Sequence, residues 1–287
     1  MGQTTFDGKE LSDAKPFLKW AGGKGRLLGK LNKFFPKNYN RYFEPFIGGG
    51  AIFFHLNPEK AIINDLNEEL VNLYKIIKDI PEELMEELDK LQNKVSDKDF
   101  FLKMRSKKPK KELEQAVRMV FLNRTCYNGM YRVNSKGEFN VPFGDMGNPK
   151  LYEKKNILAC SHTLKKTIVL NEDYKKLNRR IRENDFVYLD PPYVPLSETA
   201  HFTSYTSEKF GEEQQLELLK FCEKIDKKGG LFMLSNSYNE FTEKLYRKFN
   251  INTIKAARSV AAKSESRAEI KEIVVTNYWL STAAAPR

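Results

Sequence analysis

Apolar runs too short to be helices recur between helix-patterned segments in both halves of the chain. This alternation restricts the fold more than any other feature. Ala61-Ile62-Ile63, Thr167–Leu170, Phe186–Leu189 and Leu231–Leu234 are continuous rather than alternating runs, the pattern of strands covered on both faces. Residues 24–35 read as helical. Arg41 to Pro45 is a short strand leading into a glycine loop, and Ala51–Leu56 resumes as helix. After Ala61-Ile62-Ile63 the strand ends at Asn64-Asp65, and Asn67–Lys78 carries apolar residues at 70, 73, 74 and 77, one helical face. This β-loop-α-β-α order predicts parallel pairing in an α/β fold. The rhythm returns from residue 166, with helices at Glu212–Lys224 and Asn239–Lys248. Asn252–Ala257 and Ile270–Asn277 predict an antiparallel hairpin at a sheet edge.

Residues 81–160 break the rhythm. Pro81 opens an acidic amphipathic helix from Glu82 to about Lys94, and a second helix covers Lys98–Arg105. The Lys107-Lys108-Pro109-Lys110-Lys111 run reads as a solvated linker, and Glu112–Tyr127 restarts as helix. Tyr131–Asn134 and Glu138–Val141 flank Ser135-Lys136-Gly137, a hairpin signal. The segment is an inserted, mostly helical module with a hairpin finger.

The length of 287 residues allows one large domain, or a core domain with a smaller insert. No run of about 18 apolar residues occurs, so no membrane partner is expected. The N-terminus lacks the pattern of a secretory signal. Cys126, Cys160 and Cys222 are odd in number and far apart, which fits a reducing cytoplasm. His55, His162 and His201 are equally scattered, so no metal site is expected. The net charge of +11 favours a polyanion such as nucleic acid, with general solubility the plainer alternative. Residues Ser281–Arg287 are set aside as a tail.

Chemistry concentrates where strands end. Asp190-Pro191-Pro192-Tyr193 follows the run Phe186–Leu189, and ligand crevices of open α/β sheets lie at such carboxyl ends. The prolines lack N–H groups, so this backbone offers carbonyl acceptors in a stiff geometry. With a carboxylate and a ring face beside them, they suit a flat, amino-bearing ring. The alternative is a strand capped by a rigid turn. Phe43-Glu44-Pro45-Phe46-Ile47-Gly48-Gly49-Gly50 places glycines directly after a strand and before a helix. Such a loop can approach a cofactor's carboxylate or a phosphate closely. It matches neither the P-loop nor the nicotinamide fingerprint. Asp65, ending the next strand, reads as a ribose ligand or as a helix cap. Trp20-Ala21-Gly22-Gly23-Lys24 reads by itself as a buried aromatic with a capping glycine.

Taken in order, Lys19 to Lys24, Phe43 to Gly50, Asn64 to Asn67, Asn128 to Gly144 and Asp190 to Ser197 resemble the motifs of Dam-type DNA adenine-N6 methyltransferases, the D12 class. The resemblance runs from about Pro16 to Tyr278. It implies a doubly wound, Rossmann-like methyltransferase sheet with S-adenosylmethionine as methyl donor. Residues 15–80 and 161–280 would form the catalytic domain and residues 81–160 a target-recognition insert. It carries cofactor contacts onto Trp20, Lys24, Asp65 and Asp190, with the Phe46–Gly50 loop, Gly48 and Gly50 included, under the methionine part. Asp190, Pro191, Pro192 and Tyr193 would grip and stack a flipped adenine.

The same resemblance implies double-stranded DNA as partner. Arg132 would read a guanine, Asn128, Met130, Pro142 and Lys19 would lie against the target bases, and Tyr127 begins this reading segment. GATC is the implied site. Asp145 stands where basic family members carry arginine, a departure that bears on outer phosphate contacts. Pro195–Tyr205 has the composition of a loop that closes over substrate. Arg258–Lys271 reads as a phosphate-facing loop or a solvated edge. N4-cytosine methylation, or methylation of RNA or protein amino groups, would use the same amino-group geometry. A cognate restriction endonuclease, mismatch-repair marking and phage self-protection all fit as setting.

Overall fold

A computed structural model describes residues 13–192, 211–256 and 270–280 of the chain. The described strands form a seven-stranded sheet in the order β3-β2-β1-β4-β5-β7-β6. They are β1 (Tyr42–Glu44), β2 (Ala61–Asn64), β3 (Thr167–Leu170), β4 (Phe186–Leu189), β5 (Leu231–Ser237), β6 (Asn250–Ala256) and β7 (Ile270–Thr276). The first five pair in parallel, and β7 pairs antiparallel with both β5 and β6. Every residue of β1, β2 and β4 is buried, as their continuous apolar runs require when helices cover both faces.

The helices are α1 (Leu28–Leu31), α2 (Ala51–Leu56), α3 (Glu68–Asp79), α4 (Pro81–Asp89), α5 (Lys98–Ser106), α6 (Glu112–Thr125), α7 (Lys154–Lys165), α8 (Glu212–Lys227) and α9 (Glu240–Tyr246). Asn67 caps α3, its side chain accepting from Leu70 N–H, while Asp65 makes an Asx turn two residues earlier. The capping alternative for Asp65 therefore passes to its neighbour. Pro81 sits in the first turn of α4, where its missing N–H costs nothing. That helix ends at Asp89, short of Lys94, and a 3-10 turn at Gln92–Lys94 follows.

Helices of the expected insert pack against α3. Leu84 of α4, Phe101 of α5 and Val120 and Phe121 of α6 share one buried cluster with Tyr74 and Ile77 of α3. Helix α7, which the sequence pattern did not mark, runs unbroken through residue 160, where the expected domain boundary lies. The finger at residues 131–141 is a hairpin loop closed by a single antiparallel bridge, Val133 to Phe139, rather than a regular ladder. Lys108 reaches Glu138 of this finger at 2.8 Å, so the basic run is tied to the hairpin while its lysines stay exposed. No described helix is long and apolar enough to cross a membrane, and no described cluster of His, Cys, Asp and Glu could hold a metal ion.

Candidate active site

Strands β1 and β4 lie side by side, but the chain leaves them in opposite directions. After β1 it continues to β2 on one flank, and after β4 it continues to β5 on the other. A crevice opens where strand order reverses in this way, outside the carboxyl ends. The loop Pro45–Gly50 enters it from β1, and Asp190-Pro191-Pro192 enters it from β4. Asp65 follows β2, the next strand along.

Lys24 opens a 3-10 turn over Lys24–Leu27 and is only 3% exposed. Its ammonium donates to Asp190 Oδ1 at 2.7 Å and to the Gly22 carbonyl at 3.4 Å. A fifth of the Asp190 side chain, 20%, stays open to the crevice. Burial pushes the Asp190 carboxyl up to about 6, with Lys24 opposing the rise and Glu272 adding to it. At neutral pH the group is therefore mostly ionised, an acceptor held by one cation. Beneath it Glu44 is 2% exposed and accepts from Tyr42 Oη at 2.6 Å. Burial drives its carboxyl well above the ordinary range, and the charges of Asp190 and Asp65 drive it further. The Tyr42 hydrogen bond opposes this rise, whose direction favours the neutral form of Glu44 beside the two carboxylates. Pro191 is buried and Pro192 half-buried, while Tyr193 lies outside the described residues.

The glycine loop is shaped by an indole. Gly48 has φ +46°, and a Cβ there would stand 2.9 Å from Trp20 Cδ1. Only glycine allows both the backbone conformation and this approach. Tyr74 Oη donates to the Gly48 carbonyl at 3.0 Å, and the Gly48 N–H donates to Asp65 Oδ2 at 3.0 Å. Asp65 Oδ1 accepts from the Asn67 N–H at 3.0 Å. Each Asp65 oxygen thus spends one lone pair on backbone and keeps acceptor capacity. Burial raises this carboxyl while the N–H groups of Asn67, Gly48 and Leu66 hold it down. Gly50, left-handed, is the N-cap of α2, which has only six residues. A helix so short contributes little dipole, so the loop's binding capacity lies in its backbone approach. Phe46 packs on Tyr174 at 5.0 Å between ring centres.

The expected base-reading residues form a second group, joined to the first through Lys19 and Trp20. The Trp20 indole stacks on Tyr131 at 5.2 Å and 24°. Asn128 is left-handed at φ +55°, and Tyr127 is 51% exposed beside it. Lys19, Asn128 and Pro142 are exposed, and Met130 is half-buried. Arg132 Nε donates to Asn140 Oδ1 at 2.7 Å and Nη2 to the Asn140 carbonyl at 3.4 Å. Asn140 thus aims the guanidinium before any ligand arrives. Asp145 is exposed with φ +40°. The expected closing segment Pro195–Tyr205 lies outside the described residues, as do Arg258, Lys263 and Arg267, while Lys271 is exposed on β7.

Several supporting residues carry no individual role in the sequence reading, although some stand inside its motifs: Glu44, Tyr74, Asn123, Tyr131, Asn140 and Glu272. One signal was present for Asn123. It falls on the apolar face of α6 with Ala116 and Val120, and an amide on a buried face must satisfy its hydrogen bonds internally. It is 1% exposed. Its Oδ1 accepts from the Lys19 N–H at 3.0 Å, and its Nδ2 donates to the carbonyls of Lys19 at 2.8 Å and Gly129 at 3.0 Å.

Residues 20–260 match the family described as D12 class N6 adenine-specific DNA methyltransferase. A type II methyltransferase of Lactococcus lactis subsp. cremoris is 46% identical over 278 residues, covering 94% of this chain and 98% of that protein. A type II methyltransferase of Methanocaldococcus jannaschii is 42% identical over 288 residues, covering 93% and 100%. The DNA adenine methylase of Escherichia coli K12 is 30% identical over 263 residues, covering 91% and 94%.

Proposed function

The chain belongs to the D12 class N6 adenine-specific DNA methyltransferases, and from that premise we propose that it takes its methyl group from S-adenosylmethionine and places it on a flipped adenine within GATC. One observation carries the mechanistic part: Asp190 directly follows β4 beside the switch point, its Oδ1 2.7 Å from the Lys24 ammonium, with the glycine loop after β1 at the same edge of the sheet. The residues present suit the donor. The glycine loop gives close backbone approach under Trp20, Asp65 keeps acceptor capacity for a hydroxyl pair, and Phe46 supplies an aromatic face. Trp20, Lys24, Phe46, Gly48, Gly50, Asp65 and Asp190 would hold it. When bound, S-adenosylmethionine supplies a methyl group already made electrophilic by its sulfonium.

The protein's part is acceptance and aim. An adenine N6 inside a duplex is out of reach, so the nucleotide leaves the stack. Its amino lone pair is delocalised into the ring. The Asp190 carboxylate and the Pro191 carbonyl accept the amino hydrogens, which turns the nitrogen toward sp³ and points its lone pair at the methyl position. Pro192 stiffens the backbone that makes this pair, and Tyr193 stacks on the base. Transfer is then a matter of positioning, and as the new N–C bond forms one N6 proton leaves to the Asp190 carboxylate or to water.

For the DNA side, Arg132 grips guanine O6 and N7 from the hairpin, aimed by Asn140. Lys19, Tyr127, Asn128, Met130 and Pro142 complete the reading surface. In this proposal residues 81–160 serve recognition and residues 15–80 with 161–280 serve catalysis. A cognate restriction endonuclease belongs to the same reading; a nuclease blocked by this methylation would support it.

Sequencing modified bases in the DNA of an expressing, methylation-free host tests the proposal. N6-methyladenine confined to GATC is the expected result, lost in Asp190→Ala. N6-methyladenine at another site would refute the assigned specificity.

A further inference from the structure

The loop that touches the glycine cradle and the turn that carries the base-reading residues are one clamped unit. Lys19 and Trp20 are consecutive, and between them they contact both the glycine cradle and the base-reading turn. Trp20 lies over Gly48 of the cradle and stacks on Tyr131 at the root of the hairpin. Lys19 lies on Gly129, where a Cβ would stand 2.3 Å from Lys19 Cδ. Gly129 has φ +64° and directly follows Asn128. Asn123 fastens the two together, with one hydrogen bond to the Lys19 N–H, one to its carbonyl and one to the Gly129 carbonyl. Tyr131 is anchored in turn, donating to Glu69 Oε2 at 3.1 Å, while Arg118 holds Glu69 Oε1 at 3.3 Å.

We propose that Asn123 is a positioning residue that makes methyl-donor binding and DNA binding cooperative, through the Lys19–Trp20 loop they share. The inference rests on the proposed function, since it takes the cradle as the donor site and the turn as the base-reading site. Its physical basis is ordering. A donor settling against Trp20 immobilises the loop, and the amide carries that order to Lys19, Gly129 and Asn128. DNA then binds a surface whose ordering has already been met, and by linkage DNA returns the same factor to the donor. Asn123 touches neither ligand site itself. It is 1% exposed, so its effect passes through the backbone it clips.

The test measures the coupling factor, using S-adenosylhomocysteine as the unreactive donor probe and a duplex containing one GATC. DNA affinity is read by fluorescence anisotropy with and without saturating S-adenosylhomocysteine. Wild-type protein is expected to bind DNA tighter with the probe, by roughly 5- to 150-fold. In Asn123→Ala this factor falls to near one, while affinity for S-adenosylhomocysteine alone changes by less than about threefold, the separation that shared ordering requires. Should Asn123→Ala fail to fold, Asn123→Asp, which keeps the acceptor for the Lys19 N–H and removes the donor to the Lys19 and Gly129 carbonyls, is read in the same way. A variant that folds and keeps the wild-type factor overturns the inference and leaves the methyltransferase reading intact. Wild-type protein that bound neither probe would overturn both.

Discussion

Replacing Lys24 with methionine removes the cation from Asp190 while keeping most of the buried volume. In the wild type the two groups are 2.7 Å apart, with Lys24 3% and Asp190 20% exposed. Removing one partner of so buried a pair costs about 3–5 kcal/mol in general. If about 3 kcal/mol of this falls on the ionised form of Asp190, its carboxyl rises by about 2 pH units, at 1.36 kcal/mol per unit. From about 6 in the wild type it would reach about 8 in the variant. At pH 7 the ionised fraction then drops roughly tenfold, and it recovers by about pH 9. The assay is kcat/KM for a GATC duplex, at saturating S-adenosylmethionine, across pH 5–9.5. The wild-type acid limb is expected near 6, and the variant's limb should move up by about 2 units with a similar plateau. A variant with lower activity but an acid limb still near 6 would refute the claim that Lys24 keeps Asp190 ionised.

Asp190→Asn keeps the shape but replaces an anionic acceptor, and methyl transfer should fall by roughly 100-fold or more in single-turnover assays. The same variant reports on stability. A carboxyl raised from 3.8 to about 6 stabilises the fold below about pH 4, and that contribution is lost as pH rises through 6. Relative to wild type, Asp190→Asn should therefore gain up to about 2–3 kcal/mol between pH 4 and 7 in urea titrations; no pH-dependent difference would contradict the burial argument. Gly48→Ala forces a side chain to φ +46° against Trp20, costing about 1–3 kcal/mol. It should weaken S-adenosylmethionine binding in calorimetry, and unchanged affinity would remove the loop from the donor site. Arg132→Ala should lower discrimination at one base position by roughly 5- to 150-fold, leaving the other positions unchanged. An equal loss at every position would mark Arg132 as a phosphate contact instead.

Much of the architecture was legible because local rules agreed. The buried runs at Ala61-Ile62-Ile63 and Phe186–Leu189 had to be strands covered on both faces, and both are. Asp190-Pro191-Pro192 announced an acceptor-only, rigid turn from residue chemistry alone. Helix α7 was missed because its apolar positions are interleaved with Asn156, Ser161, His162 and Thr163, which dilutes the helical stripe. The finger read as a hairpin, yet it holds a single bridge, because its shape comes from Asn134 and Asn140 side chains bonding the backbone and Arg132 rather than from a ladder. In its own segment Trp20 reads as a plain buried aromatic; its placement against Gly48, Tyr131 and the loop held by Asn123 depends on residues none of which is near it in the chain.

The sequence by itself determined which residue types stand at each strand end: glycines after β1, a carboxylate after β2, and a carboxylate with two prolines after β4. Side-chain chemistry and backbone freedom are local properties, so a linear reading captures them. Tertiary structure alone decided that β1 and β4 are neighbours, that Lys24 crosses to Asp190, and that Asn123 ties Lys19 to Gly129. Each of the three joins residues more than a hundred positions apart. They follow from how whole elements bury their faces, and so does the charge on Asp190, which burial raises and one distant lysine restrains.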